Sequence, residues 1–172
     1  NANPHDFGAY TGEVSCTQLR GIVDYCIIGH SERRQLFHET DKKIRATVAA
    51  ALRNQFTPIL CLGETATERT FGETYDVLRD QLLGGLSEVS TEDISKVIIA
   101  YEPVWAISTT KGAEIASPDK IADAVQFLRR TLEDTYGSET AAQVPILYGG
   151  SVNPSNAGAY LTVPEVNGLL IG

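Results

Sequence analysis

Val97-Ile98-Ile99-Ala100-Tyr101-Glu102-Pro103-Val104-Trp105-Ala106 decides the reading of this chain. Its first half is a short continuous apolar run rich in β-branched residues, the pattern of a strand buried on both faces. Glu102 stands at the end of that run, and Pro103 with the chain's only Trp closes it off. The residues that follow, Ile107-Ser108-Thr109-Thr110-Lys111-Gly112-Ala113-Glu114, are polar and long enough to fold over the tip. A carboxylate at a strand tip beneath a loop is a candidate general base. The plainer reading is a strand-end glutamate held in a salt bridge.

Outward from this stretch the chain alternates strand and helix. Residues 24–29 (DYCIIG), 57–62 (TPILCL), 145–148 (PILY) and 166–171 (VNGLLI) read as further strands. Between them, residues 41–55 carry Ile44, Val48, Ala51 and Leu52 at helical spacing, with Asp41 as N-cap or first-turn acid. Residues 67–83 place Tyr75, Leu78 and Leu82 on one helical face. Ser117-Pro118 opens a helix that runs through Ile121, Val125, Leu128 and Leu132 to about Gly137, and residues 154–161 form a short one. Strands separated by helices imply right-handed βαβ units and a parallel sheet.

A doubly wound sheet and a (β/α)₈ barrel both fit that alternation. The barrel is favoured because polar or glycine-rich tips follow nearly every strand: GHSE (29–32), GET (63–65), Glu102, GGS (149–151) and Gly172. Groups at the C-terminal ends of many strands are the layout of a barrel's active face, whereas a doubly wound sheet gathers its ligands at one switch point. A full barrel takes about 250 residues, so 172 residues with five strands form either an open sheet or part of a larger protein. Residues 1–172 are expected to be a single domain.

Composition narrows the functions. A net charge of −8 lacks the clustered cations that nucleic acid requires. No apolar run approaches the roughly 20 residues of a membrane span. Three cysteines, Cys16, Cys26 and Cys61, without a CxxC spacing, argue against a disulfide framework or zinc site, so a reducing, cytoplasmic setting is expected. His5, His30 and His38 lack metal-ligand spacing, and no metal is expected.

Two further tips carry chemistry. His30 follows an apolar strand, with Ser31, Glu32, Arg33 and Arg34 next. A helix starting there would point its positive end at the imidazole and favour the neutral, hydrogen-bond-donating form. The alternative is a strand-capping histidine with a solvated arginine pair. A carboxylate and a neutral imidazole on one face suit proton abstraction beside a carbonyl. The glycines of GGSVNP (149–154) would let backbone N–H groups approach an anion where a helix begins, a phosphate-site candidate whose alternative is an ordinary tight turn.

GAYTGE (8–13), IIGHSERR (27–34), CLGE (61–64), AYEPVWAI (100–107), YGGSVN (148–153) and GLLIG (168–172) occur together in this order. With them the chain resembles the triosephosphate isomerase family over essentially its whole length. The resemblance implies a (β/α)₈ barrel represented by about strands 4 to 8, an aldose–ketose isomerase of glycolysis and gluconeogenesis, and no cofactor. It implies Glu102 as the base and His30 as the electrophile acting on a triose phosphate. Ser108, Ser151 and Gly172 would hold the phosphate, and Glu32 would stand behind the catalytic groups. Residues 106–116 would form a lid hinged at Pro103, Val104 and Trp105. Thr11 would sit at the tip of a loop reaching into a second subunit, so a homodimer is implied.

The chain departs from the family pattern in three ways. It contains no Asn-x-Lys strand end, whose lysine contacts substrate in the family. It lacks the segments of the first barrel strands and the last helix. Its lid reads Ile107-Ser108-Thr109-Thr110-Lys111 where the family has Ile-Gly-Thr-Gly-Lys, with about three extra residues before Ser117-Pro118. The alternative to an isomerase is therefore a non-catalytic portion of the same barrel.

Overall fold

A computed structural model describes residues 1–172. Five parallel strands lie side by side in sequence order: β1 (Tyr25–Ile28), β2 (Thr57–Leu62), β3 (Ile98–Tyr101), β4 (Ile146–Tyr148) and β5 (Gly168–Leu169). The register runs Leu62↔Tyr101↔Tyr148↔Leu169 across four of them. Every strand neighbours its successor, so the order never reverses and there is no switch point of the doubly wound kind. The sheet is a section of (β/α)₈ barrel wall, as the strand tips implied.

The helices are α1 (Cys16–Leu19), α2 (Ser31–Leu36), α3 (Asp41–Arg53), α4 (Ala66–Thr70), α5 (Thr74–Leu86), α6 (Pro118–Tyr136), α7 (Ser138–Ala141) and α8 (Ala157–Leu161). Alternate strand residues Leu60, Leu62, Ile99, Tyr101, Ile146 and Tyr148 pack into the main core with Ile44, Val48, Leu78, Leu82, Val125 and Leu128 of α3, α5 and α6. The opposite face carries a small cluster of Ile59, Cys61 and Ala100, with Ile98, Leu147 and Leu170 beside it. Toward the β1 edge Tyr25 and Ile27 are exposed. All three cysteines are buried free thiols. No helix is long and apolar enough to cross a membrane.

Several boundaries differ from the sequence reading. The helix expected over residues 67–83 is two, α4 and α5, because Gly72 adopts φ 76° between them. Thr65 and Glu68 close α4 with a capping box. Thr40, not Asp41, caps α3 by accepting from the Lys43 N–H, and Asp41 is a first-turn acid. The strand expected over 166–171 contracts to Gly168–Leu169, since β5 pairs on one side only; the Leu170 N–H adds one bond to the Tyr148 carbonyl. The helix expected over 154–161 begins at Ala157, after a turn held by the Asn153 side chain, which accepts from the Ser155 and Asn156 N–H groups.

Candidate active site

β3 delivers Glu102 to the mouth of the sheet, 2% exposed, with its N–H donating to the Leu62 carbonyl at 2.8 Å. Two glycines make room for it by having no β-carbon. A Cβ at Gly63 would lie 1.9 Å from the Glu102 carbonyl oxygen, and one at Gly149 would lie 2.8 Å from Glu102 Cγ. The tips of β2 and β4 therefore close on either side of this carboxylate because CLGE and YGGS place glycine there.

His30 is the N-cap of α2. Its Nδ1 accepts from the Glu32 N–H at 3.3 Å, which requires a lone pair on Nδ1 and leaves the neutral ring's proton on Nε2. Nε2 lies 3.4 Å from Glu102 Oε1. The second oxygen, Oε2, is buried without a hydrogen-bond partner. Burial raises the Glu102 carboxyl above its ordinary value, partly offset by His30, Cys61, the Ser31 backbone and Arg34. A carboxylate kept out of water with one oxygen unused is a strong local proton acceptor when ionised.

The remaining expected residues fall into two groups. Ser151 lies at the β4 tip, and its N–H and Oγ donate to the Ala106 carbonyl at 2.9 and 2.7 Å, so it fastens the residue before the 107–116 loop. Glu32 gives its backbone N–H to His30 while its carboxylate faces solvent, 4.0 Å from Nδ1. Ser108 occupies an exposed turn, and Gly172 is exposed beyond β5. Thr11 is exposed in the loop after Phe7, itself 83% exposed, whose base is held by stacking of His5 on Tyr10. No three His, Cys, Asp or Glu side chains are grouped to hold a metal ion.

Arg33 and Arg34 are not the solvated pair that sequence allowed. Arg33 binds the buried Glu39 at 2.8 Å. Arg34 donates to the Gly29 and Cys61 carbonyls and to Asp41, tying the tips of β1 and β2 together.

Pro103, Val104 and Trp105 are buried, with Val104–Ala106 forming a 3₁₀ turn. Trp105 Nε1 donates to Glu64 Oε1 at 2.7 Å, and the Tyr101 hydroxyl donates to the same carboxylate at 3.2 Å. The Arg69 guanidinium stacks 3.7 Å above the indole. Sequence reasoning had Glu64 only as a polar strand tip. The missed signal was an acid directly after a buried strand, a group that must find donors elsewhere in the fold.

A family model for triosephosphate isomerase matches residues 1–172. The chain belongs to the triosephosphate isomerase family. Its relatives include triosephosphate isomerases of Caldanaerobacter subterraneus subsp. tengcongensis, 46% identical over 96% of this chain and 66% of that protein. The enzyme of Chlamydia muridarum is 45% identical over 97% of this chain and 60% of its own length. That of Flavobacterium johnsoniae is 43% identical over 100% of this chain and 68% of its own. The chain thus spans about two thirds of the length of the curated relatives it matches.

Proposed function

We propose that the protein of which these residues form part interconverts dihydroxyacetone phosphate and glyceraldehyde 3-phosphate, with Glu102 as base and His30 as electrophile. The observation that carries this reading is the buried Glu102 carboxylate, 3.4 Å from a histidine nitrogen and with its other oxygen unpaired. In the reaction, Glu102 takes a proton from the carbon beside the carbonyl, and the electron pair of that C–H bond moves toward the carbonyl oxygen. The Nε2–H of His30 donates to this oxygen as it becomes negative. The hydroxyl proton on the first carbon passes to the former carbonyl oxygen, and Glu102 returns its own proton to the former carbonyl carbon. The first carbon becomes the new carbonyl, and neither a cofactor nor a metal takes part.

The phosphate is assigned to the backbone and side chain of Ser151 and to the N–H groups of Ser108 and Gly172. Since Ser151 now spends both donors on Ala106, phosphate binding requires that link to open, freeing the leading end of the lid. Residues 106–116 then cover the site and exclude water. The Thr11 loop, with exposed Phe7 near it, is assigned to a homodimer interface. Three reduced, buried cysteines support a cytoplasmic setting.

Glu102→Gln, in a chain extended to the length of its relatives, tests the assignment. We expect kcat to fall about 10²–10⁴-fold while KM changes little. Near-normal turnover would remove Glu102 as the base. An extended wild-type chain that does not isomerise would remove the activity itself.

A further inference from the structure

His30 is held at both of its peptide links. The first turn of α2 fixes the carbonyl after it, which accepts from the Arg34 N–H at 3.2 Å. The Arg34 side chain then turns back, and its Nε donates to the carbonyl before it, that of Gly29, at 2.8 Å. Nη2 reaches the Cys61 carbonyl at 3.4 Å, which ties this clamp to β2. The approach depends on glycine at position 29. A Cβ there would lie 3.0 Å from the Cys61 carbonyl oxygen and 3.2 Å from Arg34 Nη2, and the φ of 75° strains any other residue.

The same guanidinium stands near the carboxylate. Arg34 and Glu102 line one cavity of about 10 Å³, the room of a single water. The ionisable groups acting on Glu102 are His30 and Arg34, from α2 and its cap, and the Cys61 thiol from β2. β4 presents Gly149, and Glu64 at the β2 tip is turned to Trp105 and Tyr101. Arg33 and Lys43 are turned to Glu39, and the Glu32 carboxylate faces solvent. Burial, with Glu102 beside it, pushes the Cys61 thiol well up, so it stays protonated. The His30 ring is neutral, because its Nδ1 accepts from the Glu32 N–H. Arg34 is then the permanent charge that favours the ionised carboxylate against burial. Asp41, at the start of α3, pairs with Nη1 at 2.6 Å from the solvent side and offsets part of that charge.

We propose that Arg34 is a positioning residue for both catalytic groups: it fixes the Gly29–His30 peptide that carries the imidazole and sets a constant positive charge beside the Glu102 carboxylate, with Asp41 as its counterweight. The inference rests on the roles proposed above for Glu102 and His30. Arg34 acts through these two side chains and not on the substrate.

Arg34→Met, Arg34→Lys and Asp41→Asn, in the extended chain, separate the clamp from the charge. The quantities read are kcat and KM, melting temperature, amide hydrogen exchange across residues 29–34, and the pH midpoint of Glu102. That midpoint comes from the ¹³C carboxyl resonance without substrate, identified by its loss in Glu102→Gln. Arg34→Met should lower kcat about 10–100-fold, the scale of a misplaced catalytic group, and raise exchange about tenfold. Its Glu102 midpoint should move to higher pH, since the carboxylate has lost its cation. Arg34→Lys keeps the charge without the planar fork, so kcat should fall and exchange rise while the midpoint stays near the parent's. Asp41→Asn frees the Arg34 charge and should move the midpoint to lower pH.

A lower melting temperature in Arg34→Met with kcat and midpoint unmoved would reduce Arg34 to a structural role and overturn the proposal. Midpoints that move the same way in Arg34→Met and Asp41→Asn would overturn the charge. Parent-level kcat and exchange in Arg34→Lys would overturn the clamp. If Arg34→Met does not fold, the other two variants decide. If the extended chain does not isomerise, the carboxyl midpoint still decides the charge and amide exchange the clamp. The failure of the proposed activity is thus separable from that of Arg34.

Discussion

Glu64 and Glu102 end adjacent strands, β2 and β3, and are buried alike, 1% and 2% exposed. Burial raises both carboxyls above the ordinary range. They differ in what faces their oxygens. Glu64 receives the Trp105 N–H and the Tyr101 hydroxyl, two neutral donors from the end of β3 and the 3₁₀ turn after it. Glu102 has one histidine nitrogen at 3.4 Å and one oxygen without a hydrogen-bond partner. The same residue type, at the same depth, is thus an anchor where its lone pairs are taken and a candidate proton acceptor where one remains free. Burial alone marks neither role.

Activity separates the two most widely. Against the loss of about 10²–10⁴ in kcat expected for Glu102→Gln, Glu64→Gln should cost less than about tenfold, since the amide oxygen still accepts one donor. Comparable losses at both positions, measured at saturating substrate, would erase the distinction.

Stability should reverse the ranking. Glu64→Ala leaves a buried indole N–H and a buried phenol unpaired, at about 2–4 kcal/mol for the two. Glu102→Gln removes an incompletely paired buried charge and should leave stability equal or higher at neutral pH. Urea unfolding of the two variants beside the parent gives both values. A Glu102→Gln protein clearly less stable than its parent would mean that the ionised carboxylate is better paired than its geometry indicates.

Glu102 was legible because a β-branched run ending in one acid states its own position, and the five strand tips were legible for the same reason. Of the short α2 only the start at His30 was legible, since SERRQL has no apolar period and the helix is held by the His30 cap and the Arg34 bonds. The break at residues 71–73 was hidden because apolar spacing continues across it while Gly72 alone turns the backbone. The partners of Glu64 lie 37 and 41 positions away, and the acceptor of the Tyr160 hydroxyl lies 44 away. Neither distance leaves a local pattern. The pairing of His30 with Glu102 came from two strand tips on one face together with the family resemblance, while their approach to 3.4 Å came from the fold.

The pH dependence of stability offers a finer contrast, with Glu39 as the opposite case. Burial works against the Glu39 carboxylate, but hydrogen bonds from Arg33, Asn1 and Lys43 outweigh it and lower its pKa. Its stabilisation is therefore complete above the unfolded value of about 4.3 and is lost as pH falls through the folded one. Glu64 and Glu102 have raised folded values, so their ionisation begins to cost stability above about pH 4.3 and costs it fully once pH passes the folded values. Thermal melts should show Glu102→Gln gaining on its parent as pH rises from about 4 to 7, and Glu39→Gln falling further behind as pH rises from about 2 to 5. Parallel curves for Glu102→Gln and the parent would mean that the fold does not perturb this carboxyl.

The smallest effect concerns the lid's own charges. Glu114, in the longer part of the lid, meets Arg69 at 3.4 Å with its side chain 67% exposed. Such a pair contributes about 0.2–1 kcal/mol and less at high salt. Arg69 does more through its stacking on Trp105, since a cation over an indole adds about 0.5–2 kcal/mol. Arg69→Ala should therefore loosen the lid stem measurably, while Glu114→Gln should be nearly silent. A double-mutant cycle between the two positions, read by hydrogen exchange at the lid, should give a coupling under about 1 kcal/mol. A larger coupling would shift control of the lid from the buried Glu64–Trp105 bond to a surface contact made by the added residues. Glu64 would then cease to be the anchor against which Glu102 was compared.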